Sequence, residues 1–345
     1  MSPFSVAQEE SLASYFYRRA LISGSKMSSE SSKHFFSLLS GKFKVLPALG
    51  GKNLDLKIAI PSFGQVARLS EQNSLLPMLR PVSKPQLQSQ LYTTLMGQFT
   101  HMKGVSNSYD YNLGNPSLPE VVFCPDCFRE NIETYGMPWF KREWQIFSFG
   151  YCLQHNRKLT NVLCYSCNWK PTGKKWMEFI FSGFCPKCKQ GIWLKDSCES
   201  LSPSDEHKKV IVWFQQILQA EIPYLSPPLR KQLIVIAMRK SGCDPLSDIR
   251  CQIEHILRRV SNANRNHLYV SMYSAPWQVL QMIERGECIG GIELFWLIMM
   301  VAFKKMESFI DVLFSIGIQV ELDCSKFVGM EANSEAGITK ALVTR

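Results

Sequence analysis

The sequence predicts a mainly α-helical protein in which two helical regions flank a small cysteine-rich module containing short β-hairpins. Three observations predict this fold class. Apolar residues recur at helical spacing in the first and last thirds of the chain. Four pairs of cysteine or histidine residues, each with two intervening residues, occupy the middle third. A polar stretch rich in Asn, Ser, Gly and Pro covers residues 104–119 and is typical of a linker.

These observations divide the chain into four segments. We predict a helical domain over 1–103, a linker over 104–119, the cysteine-rich module over 120–198 and a second helical domain over 199–345. With 345 residues, of which 46% are apolar, the chain is long enough to bury a sizeable core.

Charge is unevenly distributed along the chain, which carries a formal net charge of +10. Residues 1–119 hold 12 basic and 6 acidic side chains, residues 120–200 hold 11 and 8, and residues 201–345 hold 16 and 15. Most of the excess positive charge therefore lies in the first third. That third is the best candidate for electrostatic attraction to nucleic acid.

The first helix is predicted to begin at Ser11. Glu9 and Glu10 precede it, and their negative charge suits a helix N-terminus. Arg18 and Arg19 lie off its apolar stripe, so they are candidates for contact with nucleic acid or a partner. Further helices are predicted from about residue 29 to 41 and from 85 to 99.

Residues 61–80 are predicted to form two short helices around a polar turn at 71–74. Two helices joined by such a turn are typical of the DNA-binding helix-turn-helix. Any two packed helices give the same pattern, so both interpretations stay open, with core packing favoured. Pro77 falls inside the second helix, where it is tolerated only in the first turn.

The middle module carries four pairs of potential metal ligands. They are Cys124 and Cys127, Cys152 and His155, Cys164 and Cys167, and Cys185 and Cys188. A tetrahedral zinc ion takes four N or S ligands, and a two-residue gap lets one tight turn present two of them. Four pairs therefore predict two sites for Zn²⁺. Because complete ligand sets leave no position for water, we predict structural and not catalytic ions.

The pairing of these ligands stays open from the sequence. Sequential pairing is the simplest, whereas interleaved pairing is typical of the RING fingers of ubiquitin ligases. In RING fingers two or three residues separate the histidine from the next cysteine, but eight separate His155 from Cys164. The first residues show no secretory signal, so we expect a cytoplasmic protein and disfavour disulfides. A thioredoxin-like redox pair would need one C-x-x-C in a βαβ context.

Aromatic and basic residues stand together between the first two ligand pairs. Trp144 and Phe147 are predicted to complete the small core of the module, whereas Lys141 and Arg142 are candidates for exposed contacts. Seven thiolates and two Zn²⁺ ions would contribute a charge of −3, which cancels the excess basic charge of residues 120–200. The loaded module would therefore be nearly neutral.

The C-terminal domain is predicted to be a series of helices, over 207–220, 228–240 and 244–260, with a further one capped by Ser274. The apolar run 294–303 is much shorter than the roughly 20 residues of a membrane span, so it predicts a buried core helix and no membrane contact. No motif for a phosphate-binding loop, a nucleophile elbow or a metalloprotease helix occurs. We therefore predict that the protein is not an enzyme.

Several runs in the module carry a family resemblance. They are Phe-Cys-Pro-Asp-Cys at 123–127, Pro-Trp-Phe-Lys-Arg-Glu-Trp at 138–144, Tyr-Cys-Leu-Gln-His at 151–155 and the C-x-x-C pairs at 164–167 and 185–188. In this order they resemble the TniQ/TnsD family of transposon target-selection proteins. The run Glu-Ser-Leu-Ala-Ser-Tyr-Phe-Tyr-Arg-Arg at 10–19 is similar to the family's opening helix.

This resemblance implies an adaptor that links a target-recognition device to the TnsC ATPase and its transposase. In CRISPR-associated members, TniQ is typically a head-to-tail homodimer attached to a Cascade complex, whose guide RNA reads target DNA by base pairing. Because the C-terminal third is nearly neutral, we favour this role, in a bacterial cytoplasm. A TnsD-like protein that binds an attachment site in DNA, and a zinc-containing transcription regulator, are the alternatives.

Overall fold

A computed structural model of the chain describes residues 7, 9–11, 14–15, 18, 22, 63–82, 122–146, 150–161, 163–169, 182–191, 203, 205–242, 284–286, 292–318 and 321–322. Within these residues the protein is mainly helical with a few two-residue strands, as predicted. The predicted helices over 29–41, 85–99 and 244–260, the helix capped by Ser274 and the linker over 104–119 lie outside the described residues.

The described elements follow one another in a simple order. The helices are α1 (Phe63–Asn73), α2 (Leu76–Leu79), α3 (Pro125–Tyr135), α4 (Asp205–Gln219), α5 (Pro227–Lys240), α6 (Ile292–Phe303) and α7 (Met306–Ser315), and a 3₁₀ turn spans Arg142–Gln145. The strands are β1 (Val122–Phe123), β2 (Tyr151–Cys152), β3 (Arg157–Lys158), β4 (Thr160–Asn161), β5 (Ala220–Glu221) and β6 (Glu321–Leu322). They form three antiparallel pairs, β1 with β4, β2 with β3 and β5 with β6.

The N-terminal segment, by which we mean the described residues between 7 and 18, begins a helix at Ser11 as predicted. The Ser14 N–H donates to the Ser11 hydroxyl at 3.3 Å, and the Tyr15 N–H donates to the Ser11 carbonyl at 3.0 Å. Glu10 forms an antiparallel bridge with Lys141, and the Ser11 N–H donates to the Phe140 carbonyl at 2.7 Å. The segment is therefore fastened to the cysteine-rich module.

Of the two interpretations of residues 61–80, the structure supports core packing and not a DNA-binding helix-turn-helix. Helix α1 continues to Asn73, and the break is confined to residues 74–75 because the Ser74 hydroxyl accepts a bond from the Leu76 N–H at 3.0 Å. Helix α2 is a single turn with Pro77 at its start, where the ring costs nothing. All four of its side chains are buried. It therefore packs in the core and does not present a surface to DNA.

The C-terminal helices supply most of the described core. The face of α4 that was predicted to be apolar is buried, with Val210, Phe214 and Ile217 at most 4% exposed. Helix α6 packs against α4, α5 and α7, and residues 294–299 on it are all buried, which confirms the predicted core helix. Among the described residues, no helix has both the length and the apolar character needed to cross a membrane.

One continuous core joins the described parts of the three predicted domains. It extends from Tyr15 through α2 and the module to α4 and α7. Hydrogen bonds cross the same boundaries: the Trp296 indole donates to the Met78 carbonyl at 2.9 Å, and the Leu225 N–H donates to the Pro81 carbonyl at 3.0 Å. The cysteine-rich module thus packs against helices from both predicted helical domains.

Candidate metal centres

The first ligand pair lies at the start of a helix. Cys124 is the N-cap of α3, Pro125 occupies the first turn, and Cys127 follows on that turn. Proline suits this position because its fixed φ matches the helix and its missing N–H would have had no partner. Unpaired N–H groups and the helix dipole favour negative charge at this end. This end of α3 therefore favours negative charge on the two sulfurs, which works against their mutual repulsion.

The other three ligand pairs share a different backbone turn. In each, the first cysteine pairs with the residue five positions later, and the residue after the second ligand has positive φ. The partners are Arg157 for Cys152, Trp169 for Cys164 and Gln190 for Cys185, and the residues with positive φ are Asn156, Asn168 and Lys189. Asparagine tolerates this conformation well, whereas lysine is strained in it.

The structure brings the ligand pairs together sequentially. Two groups have ligand atoms that all lie within 4.8 Å of one another: Cys124, Cys127, Cys152 and His155, and then Cys164, Cys167, Cys185 and Cys188. In the first group the Cys127 and Cys152 sulfurs are 3.5 Å apart, and the His155 Nδ1 is 3.3 Å from the Cys127 sulfur. This grouping excludes the interleaved RING-like pairing.

Each group could hold one metal ion, and the donor sets fit zinc. With Zn–S bonds of about 2.3 Å, the sulfurs of a tetrahedral site would be about 3.8 Å apart. The second group has sulfur separations of 3.5 Å between Cys164 and Cys188 and 3.7 Å between Cys167 and Cys185. Thiols held this close resist ionisation together: hydrogen bonds to Cys124 and Cys152 raise the pKa of Cys127 far above its usual range. A divalent cation would offset that repulsion.

The histidine of the first group is oriented by side chains that the sequence analysis did not identify. The His155 Nε2 is 2.8 Å from a carboxylate oxygen of Glu130, whose other oxygen accepts a bond from the Gln154 amide at 2.8 Å. A carboxylate behind a ligating histidine fixes the ring and strengthens it as a ligand. Glu130 lies three residues after Cys127 on α3, and this i, i+3 spacing is the sequence signal that could have predicted its position.

Arg142 is buried, contrary to the prediction of an exposed contact. Only 7% of it is accessible, and its guanidinium donates to the Glu71, Ser74 and Leu218 carbonyls at the ends of α1 and α4. Burial lowers its pKa to about 10, so the group stays charged at neutral pH. Because it satisfies backbone carbonyls where helices end, Arg142 ties the module to both helical regions.

The other basic residues predicted as contacts have different surroundings. Arg18 is 6% exposed and binds the carboxylate of the fully buried Glu10 at 2.6 Å, so the exposure predicted for it is also wrong. Lys141 is half-buried, with its ammonium 3.4 Å from the Glu9 carboxylate and 3.3 Å from the side-chain amide oxygen of Gln154, to which it donates. Arg19 lies outside the described residues. The partner of Arg18 lies eight residues earlier in the same segment, whereas Lys141 pairs with Glu9 from the far N-terminal part of the chain, which helical spacing could not reveal.

The aromatic residues of the module form its core. Trp144 is 3% exposed, as predicted, while Phe147 lies outside the described residues. Phe128 packs against Phe123 at 4.7 Å, Phe140 at 4.9 Å and Trp144 at 5.8 Å between ring centroids. Since Phe128 directly follows the ligand Cys127, the first metal group and the aromatic core position each other.

The chain matches no protein-family model, and a search of curated proteins gives no match.

Proposed function

We propose that this protein is a target-selection adaptor for DNA transposition of the TniQ/TnsD kind, built around two structural zinc ions. The observation that carries the proposal is the sequential grouping of the ligands into a site with three cysteines and one histidine followed by a site with four cysteines. This order accompanies the Trp-rich and basic segment between the first two pairs, on which the family resemblance depends.

The zinc ions would act as cross-links that hold the module in shape. Cys124, Cys127, Cys152 and His155 would hold one ion, and Cys164, Cys167, Cys185 and Cys188 the other. With four protein ligands each, the sites leave no open position for substrate. The protein's own side chains then do the scaffolding: the 138–144 segment receives the N-terminal segment on one side and, through Arg142, the helices α1 and α4 on the other.

In the proposed role the adaptor joins a Cascade complex with its guide RNA to the TnsC ATPase and the transposase, as a homodimer. Two features support this role over independent sequence reading. Helix α2 is buried and cannot enter a DNA groove, and Arg18 and Arg142 are engaged inside the protein. Sequence reading by a separate RNA-guided complex would make a DNA-reading helix in this part of the chain unnecessary.

A titration of the zinc-loaded protein against duplex DNA, combined with co-elution, tests the proposal. Duplexes carrying candidate attachment sequences are titrated over a salt series, and the protein is then mixed with a guide-RNA Cascade complex and with TnsC on a sizing column. We expect weak, unselective duplex binding and stable co-elution with both partners. Tight, sequence-selective duplex binding by the protein alone would overturn the adaptor role in favour of an attachment-site binder or a transcription regulator.

A pair of variants shows whether co-elution depends on the module. Cys124→Ser removes one ligand of the first group, and Glu133→Ser changes an exposed residue of the same helix. We expect Cys124→Ser to lose zinc, dimerisation and co-elution together, while Glu133→Ser keeps all three. Full co-elution by a Cys124→Ser protein that has lost its zinc would show that the module is not the scaffold.

A further inference from the structure

A large apolar residue precedes the first ligand in each of the four pairs, and the fourth of these residues is unlike the others. Phe123 is buried, and Tyr151 and Leu163 are half-buried. Phe184, in contrast, is 61% exposed, more than Tyr135 at 46% or Phe314 at 44%. The fourth pair thus presents to solvent an aromatic ring at a position that is at least partly covered in the other three.

The backbone that carries Phe184 is held firmly. Phe184 forms an antiparallel bridge with Gly191, the Cys185 N–H donates to the Gln190 carbonyl at 2.8 Å, and the Lys189 N–H donates to the Cys185 carbonyl at 2.8 Å. The ring is therefore presented from a closed turn next to a metal ligand. A side chain presented in this way loses little freedom when it binds.

The surroundings of Phe184 are cationic. Lys187 and Lys189 are exposed on the same turn. In sequence, residues 163–191 hold five basic side chains and one acidic one, whereas residues 122–161 hold five and four. If the thiolates and one zinc ion are counted in each range, residues 163–191 would keep a charge of about +2 and residues 122–161 would be neutral. Residues 163–191 are thus the basic half of an otherwise neutral module.

We propose that Phe184, Lys187 and Lys189 form a contact site for single-stranded nucleic acid. An exposed aromatic ring stacks on an unpaired base, and neighbouring ammonium groups bind the flanking phosphates. The partner is chosen by charge: a polyanion with flat aromatic faces complements a cationic turn carrying one ring. This inference stands on the Phe184 turn alone and does not depend on the adaptor role.

Fluorescence anisotropy with labelled oligonucleotides tests the site. The probes are oligouridine and oligothymidine single strands of about 12 nucleotides and a mixed-sequence duplex, titrated with zinc-loaded full-length protein. Phe184→Ala is compared with Phe314→Ala, the same change at another exposed phenylalanine, and Lys187→Gln with Lys231→Gln, an exposed lysine on α5. Zinc content is measured for every variant.

We expect Phe184→Ala to weaken single-strand binding about tenfold, Phe184→Trp to retain it, and Phe184→Leu to lose it, because leucine keeps an apolar surface but cannot stack. Lys187→Gln should reduce the salt dependence of binding by about 0.7 in the slope of log K against log salt. Both control variants should behave as the wild type. A preference for uridine over thymidine strands would identify RNA as the physiological class.

Three outcomes would overturn the proposal. One is equal or tighter binding of the duplex by the wild type. Another is wild-type affinity in Phe184→Ala. The third is wild-type affinity in Phe184→Leu, which would indicate an apolar pocket on a protein partner. If Phe184→Ala has lost zinc, its affinity is not used. The comparison of Phe184→Leu with Phe184→Trp and the salt slope of Lys187→Gln then decide whether the ring and the ammonium group bind the single strand.

Discussion

Two ligand pairs of this protein have almost the same sequence and opposite surroundings. In Phe-Cys-Pro-Asp-Cys at 123–127, the ring of Phe123 stacks on Phe128, and Asp126 forms an ion pair with Arg157. In Phe-Cys-Pro-Lys-Cys at 184–188, the ring of Phe184 and the ammonium group of Lys187 are both exposed. The first pair begins a helix inside the core, and the second closes a turn at the surface.

The comparison teaches that the ligand spacing determines where a metal ion could bind but not which part of the protein that ion would support. The first group holds Phe128, the hub of the aromatic core, and through it the 138–144 segment on which the N-terminal segment and α4 are anchored. The second group holds the 184–190 turn, on which Phe184, Lys187 and Lys189 face solvent. We therefore expect zinc at the first group to support the whole fold and zinc at the second to support a local contact surface.

The largest expected effect separates these two roles directly. Cys124→Ser should lose one zinc ion and abolish the cooperative thermal transition, since structural zinc contributes apparent free energies of about 10–16 kcal/mol in model sites. Cys124 makes no side-chain capping bond to α3 and serine is a favoured N-cap residue, so loss of a cap is not the cause. Cys188→Ser should also lose one ion but keep the main transition. Calorimetry with metal analysis checks this, and equal loss of the transition in both variants would contradict the comparison.

Arg142→Met tests how firmly the 138–144 segment is anchored to α1 and α4. The substitution leaves the carbonyls of Glu71, Ser74 and Leu218 buried without their donor, so we expect the free energy of unfolding to fall by roughly 3–5 kcal/mol. Arg68→Met on the exposed face of α1 is the matched control and should stay within about 0.5 kcal/mol of the wild type. Denaturant unfolding measures both. A small effect at Arg142 would mean that the module is anchored by its apolar contacts alone.

Glu130→Gln tests whether the carboxylate behind His155 raises zinc affinity at the first group alone. The amide loses the charge that orients His155, so zinc affinity at the first group should fall about 10- to 100-fold while the second group is unchanged. Glu133→Gln changes an exposed carboxylate of the same helix and should have no effect. Competition with a chromophoric chelator resolves the two sites. An equal fall at both sites would show that the effect is not transmitted through the histidine.

The smallest expected effect concerns the strained turn of the second group. Lys189 has a φ of 60°, a conformation that costs a side-chain-bearing residue about 1–2 kcal/mol. Lys189→Gly should therefore slow zinc release from the second group several-fold, after allowance for the greater freedom of glycine when unfolded. Asn168→Gly should change the release rate less because asparagine already tolerates positive φ. Release into excess chelator measures the rates, and faster release from Lys189→Gly would contradict the strain.

The sequence predicted the parts of the molecule that depend on local spacing. The two-residue gaps identified the eight residues that the structure gathers into two groups able to hold a metal ion, and the run of apolar residues at 294–303 identified a core helix. The misplaced residues are those decided by distant parts of the chain. Arg142 was predicted to be exposed because it is charged, yet three carbonyls from residues 71, 74 and 218 enclose it. The burial of α2 confirms the core packing that the sequence favoured, although the pattern of two short helices alone left a DNA-binding motif open.

The bridge between Glu10 and Lys141 also has a consequence for synthesis on the ribosome. The hydrogen-bond partner of the N-terminal segment, the backbone around Phe140, is made roughly 130 residues after the segment itself. At about 5–20 residues per second, this interval lasts roughly 7–26 seconds. Throughout that interval Glu10 and Arg18, which the finished protein buries, remain in water. The helix that begins at Ser11 therefore docks late, and this part of the chain folds into place only after a part that is translated later.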